Sequence, residues 1–260
     1  MMASLELKKS KRTGLIPAFL IGGLFSAAIP LLNMAFRSEV YVNLPDSPLQ
    51  ILLQANWQMM AMMNLLLIAA GACLLYFTEY ADNAIQKMKS LPVKESTLYF
   101  GKVILLTSLY AVLLVLEAVA LIVSTSQWFG LNDGFWVELG KNFGFFFLLG
   151  LPSSLLALMI ASLFQNIWVS LGLNVVAVFL ATMLSSQSFV LSLFPFALPL
   201  QTLGGVEVNQ VSLYIGVALI EVAVIAVAEW IFLRALIDLM YLFIHLIVRL
   251  IIILFKRIIN

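Results

Sequence analysis

Six long apolar stretches with almost no charge restrict this chain to folds that cross a membrane. They cover residues 14–36, 49–78, 103–126, 142–164, 167–184 and 211–233. A helix needs about 20 consecutive apolar residues to cross the hydrocarbon core of a bilayer. A mean hydropathy of +1.09 and a hydrophobic content of 63% also lie far above those of a soluble domain. We therefore predict an all-α integral membrane protein with six transmembrane helices.

The first stretch is interpreted as span one and not as a cleavable signal peptide. It is longer than the apolar region of a signal peptide, contains Pro30 and lacks a small-x-small cleavage site. Cys73 is the only cysteine and lies inside span two, which excludes an internal disulfide.

Basic residues are distributed unevenly between the two sides that six spans define. Arg37 and Lys141 fall on one side, whereas the other twelve of the fourteen Lys and Arg residues share the side of the two termini. These twelve are Lys8, Lys9, Lys11, Arg12, Lys87, Lys89, Lys94, Lys102, Arg234, Arg249, Lys256 and Arg257. Because Lys and Arg accumulate in cytoplasmic loops, we predict cytoplasmic termini in a plasma membrane. The net charge of +1 is then a sign of topology and gives no indication of nucleic-acid binding.

The chain divides into a cytoplasmic amphipathic segment at 1–13, a six-span domain at 14–235 and a C-terminal segment at 236–260. In the last segment, Asp238, His245, Arg249 and Lys256 fall along one line of an otherwise apolar helix. Its cationic stripe favours a helix in the cytoplasmic interface. A helix packed on a partner, or an additional membrane helix, is the alternative.

An apolar stretch at 189–200 lies between spans five and six and is too short to cross a bilayer. It contains Pro195 and Pro199 near its end, and Gly204-Gly205 follow. We predict an external re-entrant or interfacial element here.

The sequence lacks the usual motifs of catalysis. It has no P-loop motif and no G-x-S-x-G elbow, and its single histidine, His245, excludes an H-E-x-x-H zinc site. An enzyme or peptide-processing factor with an unfamiliar site, or a membrane scaffold or sensor, remains an alternative to a transporter.

Two carboxylates, Glu117 and Glu221, lie near the middle of their spans, where an unpaired charge is costly. They either line a path for a cationic substrate or form hydrogen bonds that join helices. Glu229 is nearer the cytoplasmic edge, and an interfacial position is expected. Asn64 and Asn174, also in mid-span, are expected to form hydrogen bonds between helices. The small residues of Gly23/Ala27 and Ala157/Ala161 are expected to form close-packing faces.

The loop between spans two and three has an amphipathic pattern. Ala84, Ile85, Met88 and Leu91 share one helical face, and polar residues occupy the other. Pro92 ends the pattern, since proline lacks the amide donor that a continuing helix needs. A second helix is predicted to begin near 95–97 and to continue into span three.

This arrangement resembles the ABC-2 type ABC transporter permeases. The resemblance lies in Glu79, Leu91-Pro92-Val93-Lys94 and Gly101-Lys102, together with the basic N-terminal segment and the proline-bearing element before span six. In size and layout the chain is most similar to the lantibiotic-immunity permeases of Gram-positive bacteria. The resemblance covers about residues 1–235, and the apolar tail at 239–260 departs from the family's short ending.

The resemblance implies that the loop carries a coupling helix for a separate ATPase. The implied coupling residues are Glu79, Asp82, Asn83, Ile85, Gln86, Lys87, Met88, Lys89, Leu91 and Pro92. It also implies that this chain has no catalytic residue, metal or cofactor of its own, and that ATP and Mg are bound by two ATPase subunits. A second, identical or related permease would complete the exporter. Its substrate would be a cationic amphipathic peptide such as a lantibiotic, removed for self-protection. Glu117, Glu221 and Asn174 would lie along the substrate path.

Overall fold

A computed structural model of the chain describes residues 13–80 and 95–232, with side chains described for 13–78 and 98–232. The long helices are α1 (Leu15–Tyr41), α2 (Pro48–Tyr80), α3 (Glu95–Trp128), α4 (Phe135–Leu163) and α5 (Ile167–Leu184). A short helix α6 (Phe189–Ser192) and a 3₁₀ turn (Leu198–Leu200) precede α7 (Val208–Phe232). The described residues contain no strand, and six of the helices are long and apolar enough to cross a membrane. The predicted fold class and the six spans are confirmed.

Residues 1–12, 81–94 and 233–260 lie outside the described part of the chain. The N-terminal amphipathic segment, the loop helix and the C-terminal amphipathic helix therefore stay predictions.

Helices α2 and α3 are longer than a bilayer crossing needs. They contain 33 and 34 residues, which is about 50 Å at the rise of an α-helix. The hydrocarbon core is only about 30 Å thick. Both helices must therefore tilt strongly or extend beyond the core.

Local sequence explains where several helices begin and end. Pro48 opens α2 at a position where its missing amide costs nothing. Asn166 caps α5, because its side chain accepts a hydrogen bond from the amide of Trp168 at 2.9 Å. Between α4 and α5, Phe164 is extended (φ −122°, ψ 123°). This break confirms the predicted division between the apolar stretches at 142–164 and 167–184.

Helix α2 is the centre of the bundle and packs against α1, α3, α4 and α5. In the most apolar 18 residues of α2, 56% are buried inside the protein, compared with 22% in α5 and 17% in α7. The surfaces of α5 and α7 are covered by exposed Val, Leu, Ile and Phe side chains. Such a surface suits lipid or another membrane subunit and not water.

Small residues allow the helices to approach closely, as the sequence predicted. Gly23 lies against Leu113 and Leu116, where an added methyl group would come within 2.9 Å of both side chains. Ala27, Ala157 and Ala161 are all buried. The contact at Gly23 brings the backbone of α1 close to α3, against which α1 packs extensively.

Residues 189–205 fold back against the bundle. Phe196, Ala197 and Leu198 are completely buried. The Ser153 hydroxyl donates to the carbonyl of Pro195 at 2.6 Å, and the indole Nε1 of Trp57 donates to the carbonyl of Pro199 at 2.9 Å. The segment is thus an integral part of the protein core. Its predicted depth in the membrane is a separate matter and stays a prediction.

Candidate functional site

The predicted coupling segment lies almost wholly outside the described residues. Asp82, Asn83, Ile85, Gln86, Lys87, Met88, Lys89, Leu91 and Pro92 are in the gap at 81–94, and Glu79 is in the last turn of α2 with its side chain outside the described set. The structure does describe both flanks of the gap. In particular, α3 begins at Glu95, which confirms the predicted restart of the helix.

A buried polar cluster lies beside these flanks. Lys102, two turns into α3, is only 1% exposed, and its Nζ is 4.7 Å from the centre of the Tyr76 ring on α2. This distance is within the range of a cation–π contact. Lys102 also lies close enough to Glu229 on α7 for their charges to interact.

Glu229 was expected near the cytoplasmic interface, and its depth in the membrane stays a prediction. Its side chain is completely buried, with Tyr99, Lys102 and Ser162 nearby. Burial is tolerable because the cationic Lys102 partly offsets the cost of removing a carboxylate from water. The cluster therefore connects α2, α3, α4 and α7 at the end of the bundle from which the 81–94 segment leaves.

Glu117 lies in a second buried cluster, in the middle of α3. Its Oε1 accepts a short hydrogen bond from the Ser26 hydroxyl of α1, and its Oε2 accepts one from Asn64 Nδ2 of α2 at 3.0 Å. The carboxyl group is completely buried. This geometry is that of a hydrogen-bonded junction between three helices, and it confirms the expected interhelical role of Asn64. The substrate-path role of Glu117 stays a prediction.

Asn174 is also completely buried, in α5. Its amide Nδ2 donates to the carbonyl of Ser170 at 3.0 Å and lies 3.7 Å from Cys73 Sγ on α2. Ser170 donates to the same sulfur at 3.2 Å. These contacts join α5 to α2, as expected for a helix–helix hydrogen-bonding residue.

Glu221 lies in α7 and is partly exposed. Within the described residues its Oε2 is buried and accepts no hydrogen bond. No hydrogen bond joins Glu117, Asn174 and Glu221 in this part of the chain. The three residues of the predicted substrate path are thus in separate local environments.

Two partners in these clusters were missed from the sequence. Ser26 is an ordinary serine in an apolar helix, and Lys102 counted as a cytoplasmic lysine and as part of the Gly101-Lys102 motif, but not as a buried partner of Glu229. One signal was available for Lys102: it lies near the start of the otherwise mostly apolar part of α3 that begins at Leu98. Among the described residues, no group of three or more His, Cys, Asp or Glu side chains is placed to hold a metal ion.

Comparison with known proteins gives one result that covers most of the chain. The family model described as ABC-2 family transporter protein matches residues 3–182. The match includes α1 to α4 and nearly all of α5. Neither a curated protein nor a solved structure matches the chain.

Proposed function

Because this chain belongs to the ABC-2 family of transporter proteins, we propose that it is the permease subunit of an ATP-driven exporter. The observation that carries the proposal is the family match over residues 3–182, which coincides with long membrane-spanning helices. Permeases of this family typically work with an ABC ATPase. We propose that two copies of a separate ATPase bind ATP and Mg and dock on the segment at 81–94. In this arrangement, the termini and that segment face the cytoplasm.

Coupling is proposed to act through the segment at 81–94 and the helices on either side of it. ATP-driven closure of the ATPase subunits would move this segment and shift the permease between two states. The cluster around Lys102 and Glu229 supports this mechanism. It connects the base of α3 to α2, α4 and α7, so a displacement of the segment would be passed to four helices at once.

The proposed substrate is a cationic amphipathic peptide, such as a lantibiotic, which is exported for self-protection in a Gram-positive bacterium. Acidic residues support a cationic substrate, because Glu39, Asp46, Asp133, Glu138 and Glu207 lie on the side opposite the termini. The proposed path runs between this permease and a second, identical or related one, along Glu117, Glu221 and Asn174. The largely unburied α7 supports a contact of this kind.

The coupling proposal is tested by co-purification with an ABC ATPase encoded next to the gene of this chain. In the predicted loop helix, Ile85 and Met88 lie on the apolar face. Ile85→Glu or Met88→Glu would force an unpaired carboxylate into an apolar contact, which is strongly unfavourable. We expect each change to abolish co-purification and the stimulation of ATP hydrolysis.

Ser90→Glu is the matched control, because it adds the same charge on the polar face of the same helix. It should leave binding and stimulation close to those of the unmodified chain. If the Ile85 and Met88 variants still bind and stimulate the ATPase, the coupling role of this helix is wrong.

A further inference from the structure

A pocket lined by both polar and apolar side chains lies at the end of the bundle opposite the Lys102 cluster. It has a volume of about 200 Å³ and is formed by α2, α4 and the residues before α7. The polar side chains that line it are Gln50, Gln54, Glu138, Lys141, Asn142 and Thr202. Gly204 closes one wall, since a side chain at this position would overlap Gln50. The pocket is separate from the Glu117 junction and from the predicted coupling segment.

The pocket contains one negative and one positive side chain. Glu138 is held in place by Ser47, whose hydroxyl donates to Glu138 Oε1 at 2.7 Å. Lys141 is exposed at the rim and makes no ion pair with any residue that the structure describes. The two charges are thus both available to a ligand. A ligand with charge of only one sign finds one opposite charge in the pocket, whereas a zwitterion can place each of its charges beside the opposite one.

Asn142 forms part of the pocket wall, and its side chain is only 5% exposed. Its Nδ2 donates to the carbonyl of Glu138 at 2.9 Å. Its Oδ1 accepts no hydrogen bond from the described residues and has no accessible surface that a ligand could contact. Glu138 and Lys141 are therefore the side chains that can recognise a charged ligand here.

We propose that this pocket binds a small zwitterionic group, a primary ammonium next to a phosphate or a carboxylate. The ammonium donates to the carboxylate of Glu138, and the anionic group pairs with Lys141. The size is suitable, because an engineered cavity of about 150 Å³ is known to hold a benzene molecule. A pocket of about 200 Å³ therefore accommodates a phosphoethanolamine group or a small amino acid, and not a whole peptide.

An ammonium next to a phosphate is found in the phosphoethanolamine headgroup of a lipid. An ammonium next to a carboxylate is found in a free amino acid. The proposal goes beyond the transport function and does not depend on an ATPase. Its test uses the purified full-length chain alone, so its failure leaves the coupling proposal untouched.

The test measures binding to the detergent-solubilised chain by isothermal titration calorimetry. The zwitterionic probes are glycerophosphoethanolamine and alanine. Ethanolamine is the probe with only positive charge, and glycerol phosphate is the probe with only negative charge. Glycerophosphocholine carries both charges but no ammonium N–H. We expect a zwitterionic probe to bind about tenfold or more tightly than each of the other three, as a charge-assisted hydrogen bond allows. The proposal would be overturned if glycerophosphocholine, ethanolamine or glycerol phosphate bound as tightly as the better of the two zwitterionic probes.

Variants test the assigned contacts. Glu138→Gln keeps an acceptor for Ser47 and removes only the charge, and Lys141→Gln changes an exposed side chain. Each should weaken zwitterion binding about tenfold or more. Asp133→Asn is the matched control, because Asp133 is exposed at the same end of the bundle and lies outside the pocket. If Lys141→Gln binds the zwitterions as tightly as Asp133→Asn does, the assignment is wrong.

Nanodiscs identify the source of the ligand. With a lipid source, phosphatidylethanolamine discs should occupy the pocket and weaken the titration with glycerophosphoethanolamine, relative to discs of phosphatidylglycerol alone. With a free amino acid as the source, alanine should bind equally in both kinds of disc. Binding of neither probe in either disc would overturn the proposal.

Discussion

Glu117 illustrates how a single carboxyl group can be placed inside an apolar bundle. Ser26 and Asn64 each donate to one of its oxygens, so the acid is buried without being unsatisfied. In the low-dielectric interior of a membrane, such hydrogen bonds join helices that apolar packing alone would hold less specifically. Asn64 Oδ1 has no partner among the described residues, which gives a glutamine at position 117 an additional acceptor.

Substitutions at Glu117 distinguish joining helices from guiding a substrate. Glu117→Leu removes the acceptor of both Ser26 and Asn64 and should cost about 1–3 kcal/mol of stability. Glu117→Gln keeps an acceptor oxygen and can also donate to Asn64, so its melting temperature should stay close to that of the unmodified chain. If the substrate-path proposal is correct, Glu117→Gln nevertheless reduces export. Thermal unfolding and peptide export measure the two effects separately.

Glu221→Leu is the control for the stability effect, because Glu221 is partly exposed and its Oε2 makes no hydrogen bond within the described residues. It should destabilise the protein much less than Glu117→Leu does. Unchanged export by both Glu117→Gln and Glu221→Gln would remove these two residues from the substrate path.

The sequence predicts single polar residues better than it predicts their partners. Glu117 and Asn64 stand out because polar groups are costly in mid-span. Ser26 does not stand out, because a serine can bond to its own helix at little cost. The partners of Glu229 were missed for a similar reason. Lys102 and Ser162 lie on α3 and α4, which are distant from α7 in the sequence.

At the scale of helices and loops, the lengths of the apolar stretches were sufficient to find the six membrane-length helices of the described residues. The ends of the helices were less predictable, because a helix can continue for several residues after the apolar stretch has ended. Helix α1, for example, continues to Tyr41 beyond the apolar stretch at 14–36, although Arg37 has non-helical angles (φ −137°, ψ 26°). The segment at 189–205 was recognised as too short to cross. Its burial depends on hydrogen bonds from Trp57 and Ser153, which no local pattern reveals.

Trp57 is predicted to anchor the segment at 189–205 to the bundle. Its ring stacks on Phe146 with centroids 3.5 Å apart, and its Nε1 donates to the carbonyl of Pro199. Trp57→Phe keeps an aromatic ring but loses the hydrogen bond, which is worth about 1 kcal/mol. We expect faster hydrogen exchange in peptides that cover 189–205, measured by mass spectrometry.

Trp136→Phe is the matched control, because Trp136 is 58% exposed and lies at the same end of the bundle. It should leave exchange in this segment unchanged. Equal exchange in the two variants would contradict the anchoring role of Trp57.

For the molecule as a whole, the two ends of the bundle differ in chemistry. Within the described residues, one end holds the Lys102 cluster, and the other holds the pocket at Glu138 and the acids Glu39, Asp46 and Asp133. Composition along the chain revealed this asymmetry. The pocket itself was not predictable, because it combines Gln50, Glu138 and Thr202 from three distant parts of the sequence.

The orientation of the bundle is predicted to place the Lys102 end in the cytoplasm. The test starts from Cys73→Ser, which removes the only cysteine and leaves a small polar group beside Ser170. Single cysteines are then introduced at Asn43 and Asp133, both exposed, and at Ser90 in the predicted loop helix. A membrane-impermeant maleimide should label Asn43→Cys and Asp133→Cys in intact cells, and Ser90→Cys only after permeabilisation. The reverse pattern would contradict the orientation, and the coupling proposal would fail with it, because a cytoplasmic ATPase has no access to an external loop.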